Sequence, residues 1–323
     1  MRIARRIVIS MTTCWLLGAA AAAHADWPDH AIRFIVPFGA GGANDLIARV
    51  AADGVASRLK QPIIIENRPG AGTMVGAEYV ARSKPDGYTF LIGSSGVVTN
   101  SLLHAKMPYA DGDLVPVGMI AVAPSVIIVN PSVPASNLKE FIAYAKAQGT
   151  GGINFSTAGT GSTPHFVAEM LKEAAGIEFT IIPFKSGQDS VNAVIGNNVP
   201  ATSEASIVVI PQIKGGKVKA IADTYTRRIS ALPELKTAAE QGYPGINIGH
   251  WAGLYAPKGT PPAIIDRMNR ELQAALNSKQ TIDRLVPQGI EPAGGSVQEF
   301  VKFIEAERAR LGALAKKAGM RED

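Results

Sequence analysis

The chain has 323 residues, a formal net charge of +5 and a single cysteine. That length can bury the core of two lobes without disulfides. It carries no run of Lys and Arg of the kind that nucleic acid or an anionic membrane surface would need.

Arg2, Arg5 and Arg6 precede an apolar run, Ile7 to Ala23, and Ala23-His24-Ala25 then forms a small-x-small site before Asp26. This pattern predicts a secretory signal peptide over residues 1–25. A transmembrane anchor is the rival reading, and the Ala-rich end with its Ala-x-Ala site favours cleavage. Cys14 falls inside this segment, behind Met11-Thr12-Thr13, which does not resemble a lipoprotein box. Cleavage leaves 298 residues, a net charge of about +2 and no cysteine. The expected product is a soluble periplasmic protein held together by core burial alone.

The mature chain opens on a β-branched strand, Ile32 to Val36, followed by Pro37-Phe38-Gly39-Ala40-Gly41-Gly42-Ala43-Asn44-Asp45. Leu46, Ile47, Val50, Ala51, Val55 and Leu59 then recur at helical spacing. Glycine lets a ligand approach the backbone, and the first N–H groups of a helix lack intrahelical partners and carry partial positive charge. The stretch reads either as an anion site, most naturally for a carboxylate, or as a tight strand-to-helix turn with no ligand. Strand Pro62–Ile65, a helix near Thr73–Arg82, the turn Pro85-Asp86-Gly87 and strand Thr89–Ile92 follow, the last running into Gly93-Ser94-Ser95-Gly96.

The middle of the chain repeats this plan. Strand Val126–Val129 leads to a helix bearing Leu138, Phe141, Ile142 and Ala145, and strand Ile153–Ser156 runs into Thr157-Ala158-Gly159-Thr160-Gly161-Ser162-Thr163-Pro164-His165. Strand Phe179–Pro183 precedes Phe184-Lys185-Ser186-Gly187, and helix Val191–Ile195 precedes the polar segment Ala201-Thr202-Ser203-Glu204-Ala205-Ser206. Helix Val208–Lys214 and strand Val218–Ala222 close the unit. A return strand, Gly253–Ala256, and helices near Ala263–Asn277, Thr281–Pro287 and Val297–Ala318 complete the chain. Alternating β and α elements predict mostly parallel sheets flanked by helices, with ligands at the carboxyl ends of the strands. Two such units in succession predict two lobes around a cleft, with crossings near Val122–Asn130 and Gly245–Trp251. The expected division is 26–125 for the first lobe, 126–246 for the second and 247–323 for the return to the first lobe with the C-terminal helices.

Little here points to catalysis. The mature chain holds His30, His104, His165 and His250, none in a metal-ligand spacing with a carboxylate. No phosphate loop, nucleophile elbow or dinucleotide fingerprint is present, and no cofactor is expected. His165 near Ser94, Ser95 or Ser186, with Asp45, Asp189 or Glu204 as an orienting acid, is the one arrangement that suggests a hydrolase, and no spacing selects it. The strand-end loops share Gly, Ser, Thr and Asn with few charges, which suits recognition of a small polar solute.

These segments resemble a known family. Pro37-Phe38-x-x-Gly41-Gly42-x-x-Asp45, Glu66-Asn67-Arg68-Pro69-Gly70-Ala71-Gly72 with Gly76-Ala77, and Pro85-Asp86-Gly87-Tyr88-Thr89 are similar to motifs of the Bug-type periplasmic receptors of tripartite tricarboxylate transporters. So are Val129-Asn130-Pro131, Thr157-Ala158-Gly159-x-Gly161-Ser162 with His165, Pro183-Phe184-Lys185 and Ala256-Pro257-x-Gly259-Thr260-Pro261. The match covers the mature chain in order. It implies a two-lobed Venus-flytrap fold, acting as a monomer, that captures a small carboxylate and delivers it to integral-membrane transporter subunits. It implies that Phe38, Gly39, Ala40, Gly41 and Gly42 hold one carboxylate end, partly through water, with Asp45 bracing the loop. Ser94, Ser95, Thr157, Thr160, Gly161, Ser162, His165, Ser186 and Gly187 would complete the pocket.

The sequence departs from the family at Ser203-Glu204-Ala205, where an aromatic, an Asp and an Asn are usual, and at Gly39-Ala40, which lacks a common proline. Glu204 is long enough to meet a ligand amino group, to face solvent or to cap a loop. Ionised in the pocket, it would repel a second carboxylate, which leaves open a mono-acid, an amino acid or an aromatic acid. A ligand sensor serving a signalling partner is the other non-catalytic reading.

Overall fold

The computed structural model describes residues 27–149 and 151–321; the predicted signal peptide, with Cys14, lies outside the described residues. In chain order the elements are β1 (Ile32–Val36), α1 (Ala43–Leu59), β2 (Ile63–Asn67), α2 (Met74–Ala81), β3 (Thr89–Gly93), α3 (Ser95–Leu103) and β4 (Leu114–Val129). They continue with α4 (Leu138–Ala147), β5 (Ile153–Thr157), α5 (Thr163–Ala175), β6 (Phe179–Pro183), α6 (Gly187–Ile195), β7 (Ala201–Ala205), α7 (Ser206–Lys214) and β8 (Lys219–Asp223). The last are β9 (Gly249–Pro257), α8 (Pro262–Leu276), α9 (Lys279–Leu285), β10 (Glu291–Pro292) and α10 (Val297–Lys317).

The ten strands among the described residues are joined through one long member. The order β2-β1-β3-β9-β4-β7-β5-β6 runs across the sheet, with β8 and β10 also paired to β4. β4 pairs antiparallel with β9 from Leu114 to Pro124, then with β7 and β8 from Ser125 to Val129. The predicted parallel strands are there, β2-β1-β3 on one side and β6-β5-β7 on the other. Between them the pairing is antiparallel, because the chain passes from one half of the sheet to the other along β4 and returns into β9. This is a two-lobed α/β fold, with the sheet's two halves as lobe cores.

Alternation along the strands explains the layering. Ile32, Phe34 and Val36 of β1 join the core under α1 and α8, while Ile35 joins the one under α2, α3 and α10. In β4, Ile127 and Val129 pack beneath α4 and α5, and Val126 and Ile128 beneath α6 and α7. Helices therefore cover both faces of both halves.

α10 belongs to both. Its Phe300 lies in a first-lobe core with Trp251 and Tyr255, whereas Leu311, Leu314 and Ala315 lie in a second-lobe core with Phe166 and Leu171. A capping box at Ser296 and Glu299 starts the helix. No helix among the described residues is long and apolar enough to cross a membrane.

Candidate functional site

The register locates the site. β3 runs antiparallel to β9, with its last residue Gly93 opposite Gly253, so its carboxyl end points toward the β9 start, which pairs with Pro124 of β4. β1 is parallel to β3 and ends on the same side. β7 ends with Ala205 opposite Ser125, and β5 and β6 run parallel with it. The carboxyl ends of both parallel sets thus converge on the middle of β4, where one lobe gives way to the other. The loops expected to hold the ligand, Phe38–Gly42, Ser94–Ser95, Thr157–His165 and Ser186–Gly187, leave from these ends.

The first is Phe38–Gly42, between β1 and α1. Gly39, Ala40, Gly41 and Gly42 are exposed and Phe38 is half-buried. Gly41 adopts φ +84°, a conformation that glycine takes without strain. Gly42 caps α1 with no side-chain hydrogen bond, so the first N–H groups of that 17-residue helix remain open to a ligand. The helix begins at Ala43, one residue ahead of the Asn44-Asp45 start signal. Asp45 is buried behind the loop. Its Oδ2 accepts from the Gly41 N–H and from Arg49 Nε, both at 2.9 Å. Its Oδ1 accepts from Asn67 Nδ2 at 2.8 Å and Arg49 Nη2 at 3.1 Å, and Asn67 also donates to the Phe38 carbonyl. Burial pushes this carboxyl up, but the bonds from Arg49, Gly41 and Asn67 outweigh it and hold it below the ordinary aspartate range.

Ser94 is buried and Ser95 half-buried at the start of α3. In the third loop Thr157 is buried, its hydroxyl accepting from the Gly159 N–H, while Thr160 and Ser162 are half-buried and Ser162 Oγ donates to the Gly159 carbonyl at 2.6 Å. Gly161 is buried; its N–H donates to His165 Nδ1 at 3.3 Å. That bond assigns the His165 proton to Nε2, which lies 4.0 Å from Glu169. His165 therefore closes its own loop. Ser186 is exposed and exchanges hydrogen bonds with Asp189 at the start of α6. Among the described residues no serine is hydrogen-bonded to His165, and Asp45 and Asp189 are engaged elsewhere, so the hydrolase constellation is not assembled. No group of three or more potential metal ligands occurs among the described residues.

Burial, with Lys172 adding to it, pushes the His165 imidazole down to about 4. An unfolded histidine binds its proton near 6.5. The unfolded chain therefore takes up that proton first, and stability falls as pH drops from about 6.5 toward about 4. From pH 7 to pH 5 the loss is about 2 kcal/mol. His165→Gln should lose about 2 kcal/mol less than wild type over that interval, read by denaturant titration at both pH values. Equal losses in the two proteins would contradict this account.

Ser203 and Glu204 point to opposite faces of β7. Ser203 is fully buried, its hydroxyl 2.5 Å from that of Ser125. Glu204 is also buried, with Oε1 accepting from the Ala205 N–H at 2.8 Å and lying 3.4 Å from His250 Nε2 of β9. Its Oε2 rests against the bare Cα of Gly187, where an added Cβ would stand 2.0 Å away. The solvent-facing alternative for Glu204 is thereby removed. Burial holds the His250 imidazole below its ordinary range, against the pull of Glu204, and its Nε2 has no hydrogen-bond partner among the described residues. Sequence assigns no ligand-facing or bracing role to His250, Arg49 or Asn67. Only the pairing of β9 with β4 brings His250 here, and no spacing along the chain could have signalled it.

Two lobes meeting on a shared strand, with glycine- and hydroxyl-rich loops from both gathered at the meeting line, define the class: a periplasmic solute-binding protein fold. A family model described as the tripartite tricarboxylate transporter family receptor matches residues 47–320. Protein BugT of Bordetella pertussis is 34% identical over 306 residues, 94% of each chain. The structure of R. palustris Rpa4515 with adipate is 34% identical, with a TM-score of 0.83 over 92% of this chain and 99% of the other. MatC (Rpa3494) from Rhodopseudomonas palustris with bound malate is 28% identical, with a TM-score of 0.78 over 89% and 99%. The chain belongs to the tripartite tricarboxylate transporter receptor family.

Proposed function

We propose that this protein is a periplasmic receptor that captures a small carboxylate between its lobes, without converting it, and presents it to membrane transporter subunits. The observation that carries the reading is the exposed Gly39–Gly42 loop at the open start of α1, braced from behind by Asp45. Backbone N–H groups there suit an anion, and the bracing side chain is already satisfied. Relatives of the same fold that hold adipate and malate support the chemical class. In this reading the first lobe comprises 26–125 and 247–323, the second 126–246, and residues 1–25 are removed on export. Closure brings Ser94–Ser95, Thr157–Ser162 and Ser186–Gly187 over the acid and orders a surface that the transporter reads.

A thermal-shift panel tests this. A carboxylate at about one hundred times its dissociation constant stabilises by about 2.7 kcal/mol and raises the unfolding midpoint by several degrees. Neutral amides of the same shape should not. Mass spectrometry should then recover the acid unchanged. A panel without a single responding acid, or conversion of the acid on the protein, would overturn the reading.

A further inference from the structure

The segment that follows β2 leaves the sheet beside the Phe38–Gly42 loop. β1 and β2 are parallel, with Val36 opposite Asn67, so both chains emerge at the same end. The backbone there is unusual. Gly70, Ala71, Gly72 and Thr73 all have positive φ, at 136°, 44°, 57° and 84°. Residues other than glycine enter that region singly and at a cost, and a β-branched threonine enters it least readily. Such strain persists only where neighbours impose it. Here α3 imposes it. The buried Asn100 donates from Nδ2 to the Gly72 carbonyl at 2.9 Å and to Thr73 Oγ1 at 3.4 Å. One turn earlier, Gly96 presents no side chain: an added Cβ would stand 2.5 Å from Thr73 Oγ1 and 3.1 Å from the Gly72 carbonyl oxygen.

The position of this turn links two loops of the proposed pocket. Gly96, against which Thr73 rests, directly follows Ser94–Ser95. On the other side Gly76 of α2 packs on Pro37, where an added Cβ would come within 2.8 Å of the proline Cβ. The stretch from Gly72 to Gly76 is therefore wedged between the starts of both first-lobe loops. A plain connection from β2 to α2 needs no such turn. Gly70, Ala71 and Gly72 are exposed, and their N–H groups donate to no acceptor among the described residues. Successive N–H groups in a turn of this kind form a concavity that suits an anion.

We propose that Gly70–Gly72 is a further part of the carboxylate clamp, a set of backbone N–H donors held ready by Asn100 and Thr73 as positioning residues. The inference rests on the carboxylate-receptor reading and adds a donor set to it.

Titration calorimetry on the full mature chain with malate, adipate, citrate, glutamate and benzoate selects the acid that wild type binds most tightly, and that acid is the probe. A71G removes no hydrogen-bonding side chain; it relieves the strain and loosens the turn. Its apo unfolding midpoint should equal or exceed that of wild type, while the probe binds about threefold more weakly. N100A should bind it about tenfold more weakly, and T73S, which keeps the hydroxyl, should match wild type. Residue-resolved amide exchange on wild type needs no variant: the Ala71 and Gly72 N–H groups should slow at least about tenfold when the probe saturates the protein. The apo midpoint of N100A reports whether that variant folds, and A71G and the exchange rates decide the matter without it. An A71G that binds the probe as tightly as wild type, whatever its midpoint, overturns this inference and leaves the receptor reading standing. So do Ala71 and Gly72 amides that exchange equally fast with and without the probe. No response of wild type to any acid, in this series or the wider panel, overturns both.

Discussion

Phe300→Ala is expected to destabilise the protein by about 3–5 kcal/mol, the usual cost of emptying a large aromatic site in a core that cannot collapse. Phe300 is 1% exposed. Its ring meets Tyr255 edge-on at 5.3 Å and Trp251 edge-on at 6.1 Å, and stacks with Phe303 at 6.4 Å. It lies so close over Gly253 that a Cβ there would come within 2.1 Å of its Cζ. β9 beneath it is held by β3 on one side and β4 on the other, so the backbone is poorly placed to move in and fill the void. The Trp251 Nε1 and Tyr255 hydroxyl that border it have no hydrogen-bond partner among the described residues, so the truncated side chain offers them nothing in exchange. The effect also reaches beyond one lobe, because Phe300 anchors the start of a helix whose Leu311 and Leu314 pack in the other. Denaturant unfolding followed by circular dichroism measures the change; a loss below about 1 kcal/mol would mean that the site relaxes.

The parts legible from the sequence were those where one period dominates. Ile32–Val36 and the apolar spacing of α1 gave strand, loop and helix because each buries a single consistent face. The long middle strand was legible only at its Val126–Val129 end. The part paired with β9, Leu114–Pro124, carries Pro116, Gly118 and Pro124, and the pairing shifts register between Pro116 and Gly118 and between Met119 and Ala121. β7 is the sharper case. Ala201-Thr202-Ser203-Glu204-Ala205 has no apolar alternation, yet all five residues are buried between β4 and β5. Its hydroxyls are paired instead of solvated, Thr202 with Ser190 and the Ser156 carbonyl, Ser203 with Ser125. Composition reads such a strand only as a polar segment, because its partners lie 12 to 78 residues away in the chain. The same distance hid the environment of Glu204. Three orientations were open from sequence, and the one adopted depends on Gly187 and His250, neither of them a local neighbour. α3 was missed for a different reason: Gly93-Ser94-Ser95-Gly96 reads as a loop, and the helix starts within it at Ser95.

Asp45→Ala separates bracing from folding. In the receptor reading, ligand affinity should fall about thirtyfold or more, the effect of removing about 2 kcal/mol of loop organisation, while the fold survives. The asymmetry follows from exposure. Arg49 is 47% exposed on its side chain and returns to water when its partner is removed, so little stability is lost there. The Gly41 N–H and Asn67 amide lose their acceptor inside the loop itself, and Gly41 is then free to leave its φ of +84°. Such a loop must be ordered anew by each ligand, at the expense of affinity. The pH dependence carries the same signature. With its folded value below the ordinary 3.8, Asp45 contributes fully above that value, and the contribution fades only as the pH falls through the lower folded value. Wild-type binding should therefore show no Asp45 transition between pH 7 and pH 4, whereas the variant should be weak throughout. Calorimetric titration with the best acid from the panel, beside unfolding curves for both proteins, decides it. Unchanged affinity would move the anion site away from the start of α1, and a collapsed fold would make Asp45 a structural residue first.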